Sequence, residues 1–313
     1  MSEFLLKGLD GGNPLGFLAA LGALRTSQMA IPEDRHSLKW VQYEVAWRPV
    51  LTFAEPRDEA TWLEALHRQL SAMDGHPALS LADNLNIPCA DFRKATQAAQ
   101  QTTFPNDRRY ADYLAAFGCE ACETELNGKK TRIIRDTAFR TMSGSGHQHF
   151  LGSMRTFVAD TGVEHLRKAL FEPWRYDDPL EKHTMRWDPL DDVRYALRWR
   201  NPSGDSDRKS GGSVWGANRL AIEAIPLFPT APVGESLETT GFYHRRKVGS
   251  FWTWPIWDGP IGLDTLRSLL GLWELQEEEP PRATLGAMGV VEIMRSQRIT
   301  QGKFRNFSMA WPV

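Results

Sequence analysis

Cysteine is scarce in this sequence, net charge is close to zero, and no apolar run is long enough to cross a bilayer. Each shortage excludes something. The 313 residues include three cysteines, Cys89, Cys119 and Cys122. An odd, low count argues against a disulfide scaffold and fits a reducing, cytoplasmic setting. Cys119 and Cys122 have the spacing of half a zinc motif. The histidines that follow, His147 and His149, stand as H-x-H and not at the wider spacing of a Cys₂His₂ site, so no metal is expected. Both cysteines are instead read as partly buried at a helix end. The most apolar stretch, residues 14–24, has eleven members, where a membrane span needs about 20. The first residues lack a basic segment and a long apolar segment, so neither a signal peptide nor a membrane partner is expected.

Charge of one sign is not in excess. Lys and Arg number 37 against 39 Asp and Glu, a formal net charge of −2. The global balance gives no pull toward nucleic acid, and such a partner must be met by local patches. Catalytic signatures are missing as well: there is no G-x-S-x-G elbow, no H-E-x-x-H and no Walker lysine. The glycine-rich "GLDGGNPLG" fits neither a dinucleotide fingerprint nor a P-loop. No catalytic residue and no cofactor is expected.

Tryptophan, by contrast, is abundant, with 12 residues. Its large ring serves cores, interfaces and stacking equally well. Asn13 is a good N-cap and Pro14 suits the first helical position. The helix expected over 14–25 carries no polar side chain up to Leu24, so it should be buried on every face. Strands are expected over 4–9, 38–47, 48–54, 193–200, 250–259 and 288–299, with the second and third joined near 47–49. Helices are expected over 56–73, 92–101, 108–117, 149–160, 163–170, 214–225 and 263–272. A turn is expected at Asn127-Gly128. The result is an α+β fold: a mixed or antiparallel sheet takes strands from both chain ends around the buried N-terminal helix, with other helices packed on it. Residues 1–170 form an N-terminal part and 171–313 a Trp-rich C-terminal part, or the two make one continuous domain. No internal repeat is present.

Three basic stretches stand out. From Lys129 to Arg155 there are six cations against Asp136 alone, a local +5. This stretch holds "SGSGHQH", a loop whose backbone N–H groups, before a helix beginning near His147, would suit an anion. Its candidate binding residues are Arg140, Ser145, Gly146, His147 and Arg155. From Arg194 to Arg219 six cations face two carboxylates, a local +4, interleaved with Tyr195, Trp199 and Trp215. Arg198 and Arg200 are the candidates there. The third group is Arg245, Arg246 and Lys247, followed by Phe251, Trp252 and Trp254, and then the C-terminal run of Arg298, Lys303 and Arg305 with Phe304 and Phe307. Arg and Lys meet phosphates, and aromatic faces stack on bases. Strand alternation puts Arg295 and Gln297 on one face and Arg298 on the other, so the turn near residue 302 must bring Lys303 and Arg305 back toward Arg298.

"NPLGFLAALGALR" after a short strand, with "FWTWPIWDGP" and "EIMRSQRITQGKFRNF" near the end, resembles accessory proteins of type I-G (formerly I-U) CRISPR–Cas loci. Those proteins are relatives of the large-subunit-like protein and of an extension on the helicase–nuclease. The resemblance covers the two ends of the chain and brings no catalytic residues. It implies a cytoplasmic, non-catalytic component of an RNA-guided antiviral complex. Its partners would be guide RNA or target DNA, other effector subunits and the helicase–nuclease. Two rival readings remain: a metal-independent RNA endonuclease using His147 or His149, and a protein adaptor that recruits the helicase–nuclease.

Overall fold

The computed structural model describes residues 1–103, 107–125, 131–142, 149–179, 183–190, 212–301 and 304–313. Expectations for Ser145, Gly146, His147, the turn at Asn127-Gly128, the strand over 193–200 with Arg198 and Arg200, and Lys303 lie outside the described residues.

The chain begins with strand β1 (Ser2–Leu5) and helix α1 (Pro14–Ala30), then β2 (His36–Tyr43), β3 (Ala46–Phe53) and α2 (Glu59–Ser71). Next come α3 (Cys89–Thr103), α4 (Arg109–Phe117), the hairpin β4 (Gly118–Glu125) and β5 (Arg132–Asp136), α5 (Phe150–Asp160) and α6 (Val163–Phe171). The short strands β6 (Asp178–Pro179) and β7 (Gly212–Ser213) pair with each other before α7 (Trp215–Ala224). The hairpin β8 (Thr230–Val233) and β9 (Ser236–Thr239) precedes β10 (Phe242–Arg245) and β11 (Gly249–Trp257). Helices α8 (Leu263–Leu270) and α9 (Arg282–Ala287) lead to β12 (Val290–Gln301), β13 (Phe304–Phe307) and β14 (Trp311–Pro312).

The fold is α+β, and every strand pair among the described residues is antiparallel. Strands from the two chain ends fall in two different sheets. One has the order β1-β3-β2; the other runs β10-β11-β12-β13, with β14 also on β12. Leu38 of β2 bridges to Ile261, just past β11, and its carbonyl accepts from the Trp257 indole of β11. Three local differences from expectation have simple causes. The β2–β3 turn sits at Glu44 and Val45, where Glu44 takes a left-handed φ of 58°, and not near Pro49. Helix α1 runs to Ala30, because Arg25, Thr26 and Ser27 are buried with it and keep their packing. Cys119 and Cys122 lie on strand β4, not a helix end. A bulge between Cys119 and Glu123 breaks the period-2 pattern that would have marked the strand.

The core is one contiguous apolar cluster reaching from Leu6 to Phe307. At its centre lies α1, whose Asn13 Oδ1 accepts from the N–H groups of Leu15 and Gly16 at 2.8 and 3.3 Å. Helix α7 crosses α1 so closely that a Cβ on Gly22 would fall 1.8 Å from the Leu220 carbonyl oxygen. Only glycine permits that approach. Around Phe17 pack the rings of Trp40, Trp252, Trp254 and Trp257. The indole N–H of Trp254 donates to the Gly11 carbonyl (2.9 Å) and that of Trp257 to Leu38 (2.7 Å). The aromatic run of β11 is therefore core, buried on both faces from Phe251 to Trp257.

Candidate nucleic-acid interface

The face of β12 that carries Ser296 beside Trp252 into the core continues, two residues on, to Arg298. There the core gives way to an open groove of about 720 Å³. The groove lies between this end of the C-terminal sheet, the β4–β5 hairpin with the loop after it, and β9. The ladder pairs Arg298 with Phe307 and Thr300 with Arg305, which makes Arg298 and Arg305 diagonal neighbours on one face. Arg298 Nη2 donates to the Arg140 carbonyl at 2.9 Å, so the C-terminal run meets the first basic stretch here, 158 residues away in sequence. Arg135 joins them from β5, and Tyr243, His244 and Ser250 from the β10–β11 hairpin.

The electrostatics of the groove are unbalanced at one point. Burial, and then the neighbouring Arg305 cation, hold the Arg298 guanidinium down to about 10. Its Nε is buried with no hydrogen-bond partner. Arg305 makes no ion pair or hydrogen bond among the described residues. Two neighbouring guanidinium groups that hydrogen-bond no carboxylate among the described residues, one of them desolvated, make this end of the groove cationic, although Asp136 offsets part of the Arg298 charge and Glu125 and Glu238 also line the groove. A phosphate there would supply the acceptor and remove the like-charge penalty. Tyr243 stands 49% exposed on edge strand β10. His244 Nδ1 lies 3.1 Å from Ser250 Oγ.

The other candidates are placed differently. Arg140 is 4% exposed and ion-paired with Asp136, and it also donates to Asn86 Oδ1 and the Met142 carbonyl at 2.9 Å each. It shapes the loop that Arg298 leans on. Arg155 clamps residues 79–83, donating to the carbonyls of Leu79 and Ala82 (2.6 and 3.0 Å) and to Asp83 Oδ1 (2.6 Å). The expected anion site at Ser145, Gly146 and His147 lies outside the described residues, but the helix that follows does not start near His147. Helix α5 begins at Phe150, whose N–H is taken by Asn84 Oδ1 at 2.8 Å. The next two amides, Leu151 and Gly152, donate to the Asp83 carbonyl. The first turn is thus occupied by the protein itself. His149 Nδ1 lies 3.0 Å from Asn84 Nδ2.

Arg245 pairs with Glu278 at 2.7 Å and lies over the Phe251 ring, while Arg246 and Lys247 are exposed at the tip of the β10–β11 turn. Arg295 is drawn away to the opposite face of β12. It donates to Thr253 Oγ1 (2.9 Å) and to the carbonyls of Glu278 (3.0 Å) and Leu275 (3.5 Å). Phe307 is buried in the core beside Trp252 and Phe139, so it offers no face to a base. Sequence reasoning passed over Asn86 and Ser250, which reach the groove only through long-range packing, and counted Arg135 only among the cations of the first basic stretch.

Among the described residues, no three His, Cys, Asp or Glu side chains converge to hold a metal ion. No helix among them is long and apolar enough to cross a membrane. No family model matches the chain, and no curated protein matches it.

Proposed function

We propose that the protein is a cytoplasmic, non-catalytic component of a type I CRISPR antiviral system, and that it holds the sugar–phosphate backbone of guide RNA or target DNA in the arginine groove. The observation that carries the binding site is the desolvated Arg298 guanidinium, its Nε without a hydrogen-bond partner, next to Arg305, which has no ion pair among the described residues. Arg135 and the exposed Tyr243 extend the surface along the groove, one toward phosphate and the other toward a stacked base. The placement in a CRISPR complex rests on the resemblance of both chain ends to type I-G accessory proteins. Other effector subunits, and the helicase–nuclease they recruit, are the protein partners in this reading.

The test is affinity for labelled single-stranded RNA and DNA against salt concentration, for the wild type and for Arg298→Ala with Arg305→Ala. Two lost phosphate contacts lower the slope of log affinity against log salt by roughly 1.4 units on a single strand, equally for all sequences. An unchanged affinity and slope in a folded double variant removes the groove from nucleic-acid binding.

A further inference from the structure

The β11–β12 ladder has a second end. Ser250 pairs with Arg298 at the groove, and Trp257 pairs with Val290 at the far end, about 24 Å away at the rise of an antiparallel strand. Between Trp257 and Val290 the chain inserts α8, a 3-10 turn over Trp273–Gln276, and α9. This insertion has the opposite chemistry to the groove. From Asp258 to Gly289 it carries six carboxylates against Arg267 and Arg282, a net −4. Among these residues is an apolar cavity of about 230 Å³ lined by Trp257, Ile261, Leu269, Leu272 and Met288, with Thr265 and Ser268 at its polar edge.

Two further observations mark this face. Trp273 is 68% exposed and Met288 55%, so much of each apolar side chain is left in water. Trp and Met are residue types enriched where proteins meet. Asp258 and Asp264 are both exposed, and both adjoin lining residues of the cavity. The Asp258 carboxylate has no partner among the described residues, and Asp264 meets only Arg267 on the surface at 2.9 Å. Such a pair is weak in water, so both carboxylates remain open to a cation from outside.

We propose that this insertion docks a basic amphipathic helix of a partner protein. One apolar side chain of the helix enters the cavity, and its Lys or Arg residues face Asp258 and Asp264. A cavity of this volume takes one aliphatic or aromatic side chain, since a smaller engineered one of about 150 Å³ binds benzene. The acidic rim selects the sign of the flanking charge, and the single anchor fits the helix-in-groove mode of recognition. An anionic membrane or a nucleic acid would be repelled by the same rim. The inference stands apart from the proposal for the groove, because it uses neither its residues nor its ligand.

The probe is a synthetic helical peptide with leucines on one face and lysines on the other, together with a control in which glutamates replace the lysines. The variants are Asp258→Lys with Asp264→Lys, which reverses the rim, and Ser268→Arg, which fills the mouth of the cavity from an exposed position. We expect the lysine peptide to bind and the glutamate peptide not to bind. Each variant should weaken the lysine peptide at least tenfold by fluorescence anisotropy, with the fold retained by circular dichroism. RNA affinity is expected to be unchanged in Ser268→Arg. Absent binding of the lysine peptide, or equal binding by wild type and both variants, overturns the proposal. So does self-association that Ser268→Arg abolishes in sedimentation, which assigns the face to a second copy of this chain. Loss of RNA binding in the Arg298 and Arg305 variant leaves peptide binding intact, so the two proposals fail separately.

Discussion

Arg25 and Arg219 lie in the core with Glu223 between them, whereas Arg298 and Arg305 lie at the groove with no carboxylate hydrogen-bonded to either among the described residues. In the core, Arg25 Nη1 meets Glu223 Oε2 at 2.8 Å and Arg219 Nη1 meets Oε1 at 2.9 Å, with all three residues at most 2% exposed. Leftover donors go to the carbonyls of Glu223 (3.2 Å) and Leu70 (2.7 Å), and the Tyr113 ring lies under the Arg25 guanidinium. Burial pushes the Glu223 carboxyl up, but the two arginines outweigh it and hold it below its ordinary range. A desolvated charge is tolerated when its partners are built in. At the groove the same residue type is desolvated with Asp136 as its nearby counter-charge and no carboxylate hydrogen-bonded to it among the described residues. The proposed phosphate would supply the rest of the balance from outside.

The comparison breaks most visibly at Glu223. Replacing it with Gln leaves two buried guanidinium groups uncompensated, and we expect a loss of about 3–5 kcal/mol in urea unfolding. The groove double variant Arg298→Ala with Arg305→Ala is expected to stay within about 1 kcal/mol of the wild type in the same assay. The two sites also differ with pH. The folded-state pKa of Glu223 lies below its unfolded value of 4.5. Its contribution is therefore complete above pH 4.5 and fades as pH falls through the folded value. The acid limb of the stability curve should flatten in Glu223→Gln, and a limb of unchanged steepness would remove Glu223 from that role.

Next in size is Gly22→Ala, which forces α1 and α7 apart where the Leu220 carbonyl leaves no room. The expected cost is about 1–3 kcal/mol, read from the same unfolding curves. Loss of RNA affinity in the groove double variant comes third, about 10- to 100-fold, or roughly 1.4–2.8 kcal/mol. The smallest effect is on the free protein. A sulfate ion that fills the gap at Arg298 should raise the melting temperature by roughly 2 °C when present a few-fold above its dissociation constant. The general stabilisation by sulfate is common to both proteins. The diagnostic quantity is the increment over the double variant at matched ionic strength, and an equal shift in both shows that the groove has no affinity for anions.

Local signals were legible in the sequence where local chemistry decides. Asn13 and Pro14 announce α1, and its unbroken apolar face announces its burial. The alternation around Arg298 says which arginines share a face, and the ladder joins Arg298 to Arg305 while turning Arg295 away. What was not legible depends on distant partners. Nothing near Arg140 tells that Asn86 and Asp136 will consume its donors. Nothing near Phe150 tells that Asn84 will cap α5, 66 residues away. The tryptophans of β11 read equally as base-stacking surface or as core. Only the arrival of Phe17 and Trp40 from the other end of the chain makes them core.

The close crossing of α1 and α7 also sets a timetable for synthesis. Arg25 and Glu223 are 198 residues apart in the chain. At the speed of translation, α1 leaves the ribosome about 10 to 40 s before the helix that shields it exists. During that interval one of the most apolar segments of the molecule has no permanent shelter, and the arginine within it has no counter-charge. The nascent chain is therefore a natural client for holding chaperones. Yield in a cell will follow the rate at which residues 31–224 are made as closely as it follows the stability of the finished fold.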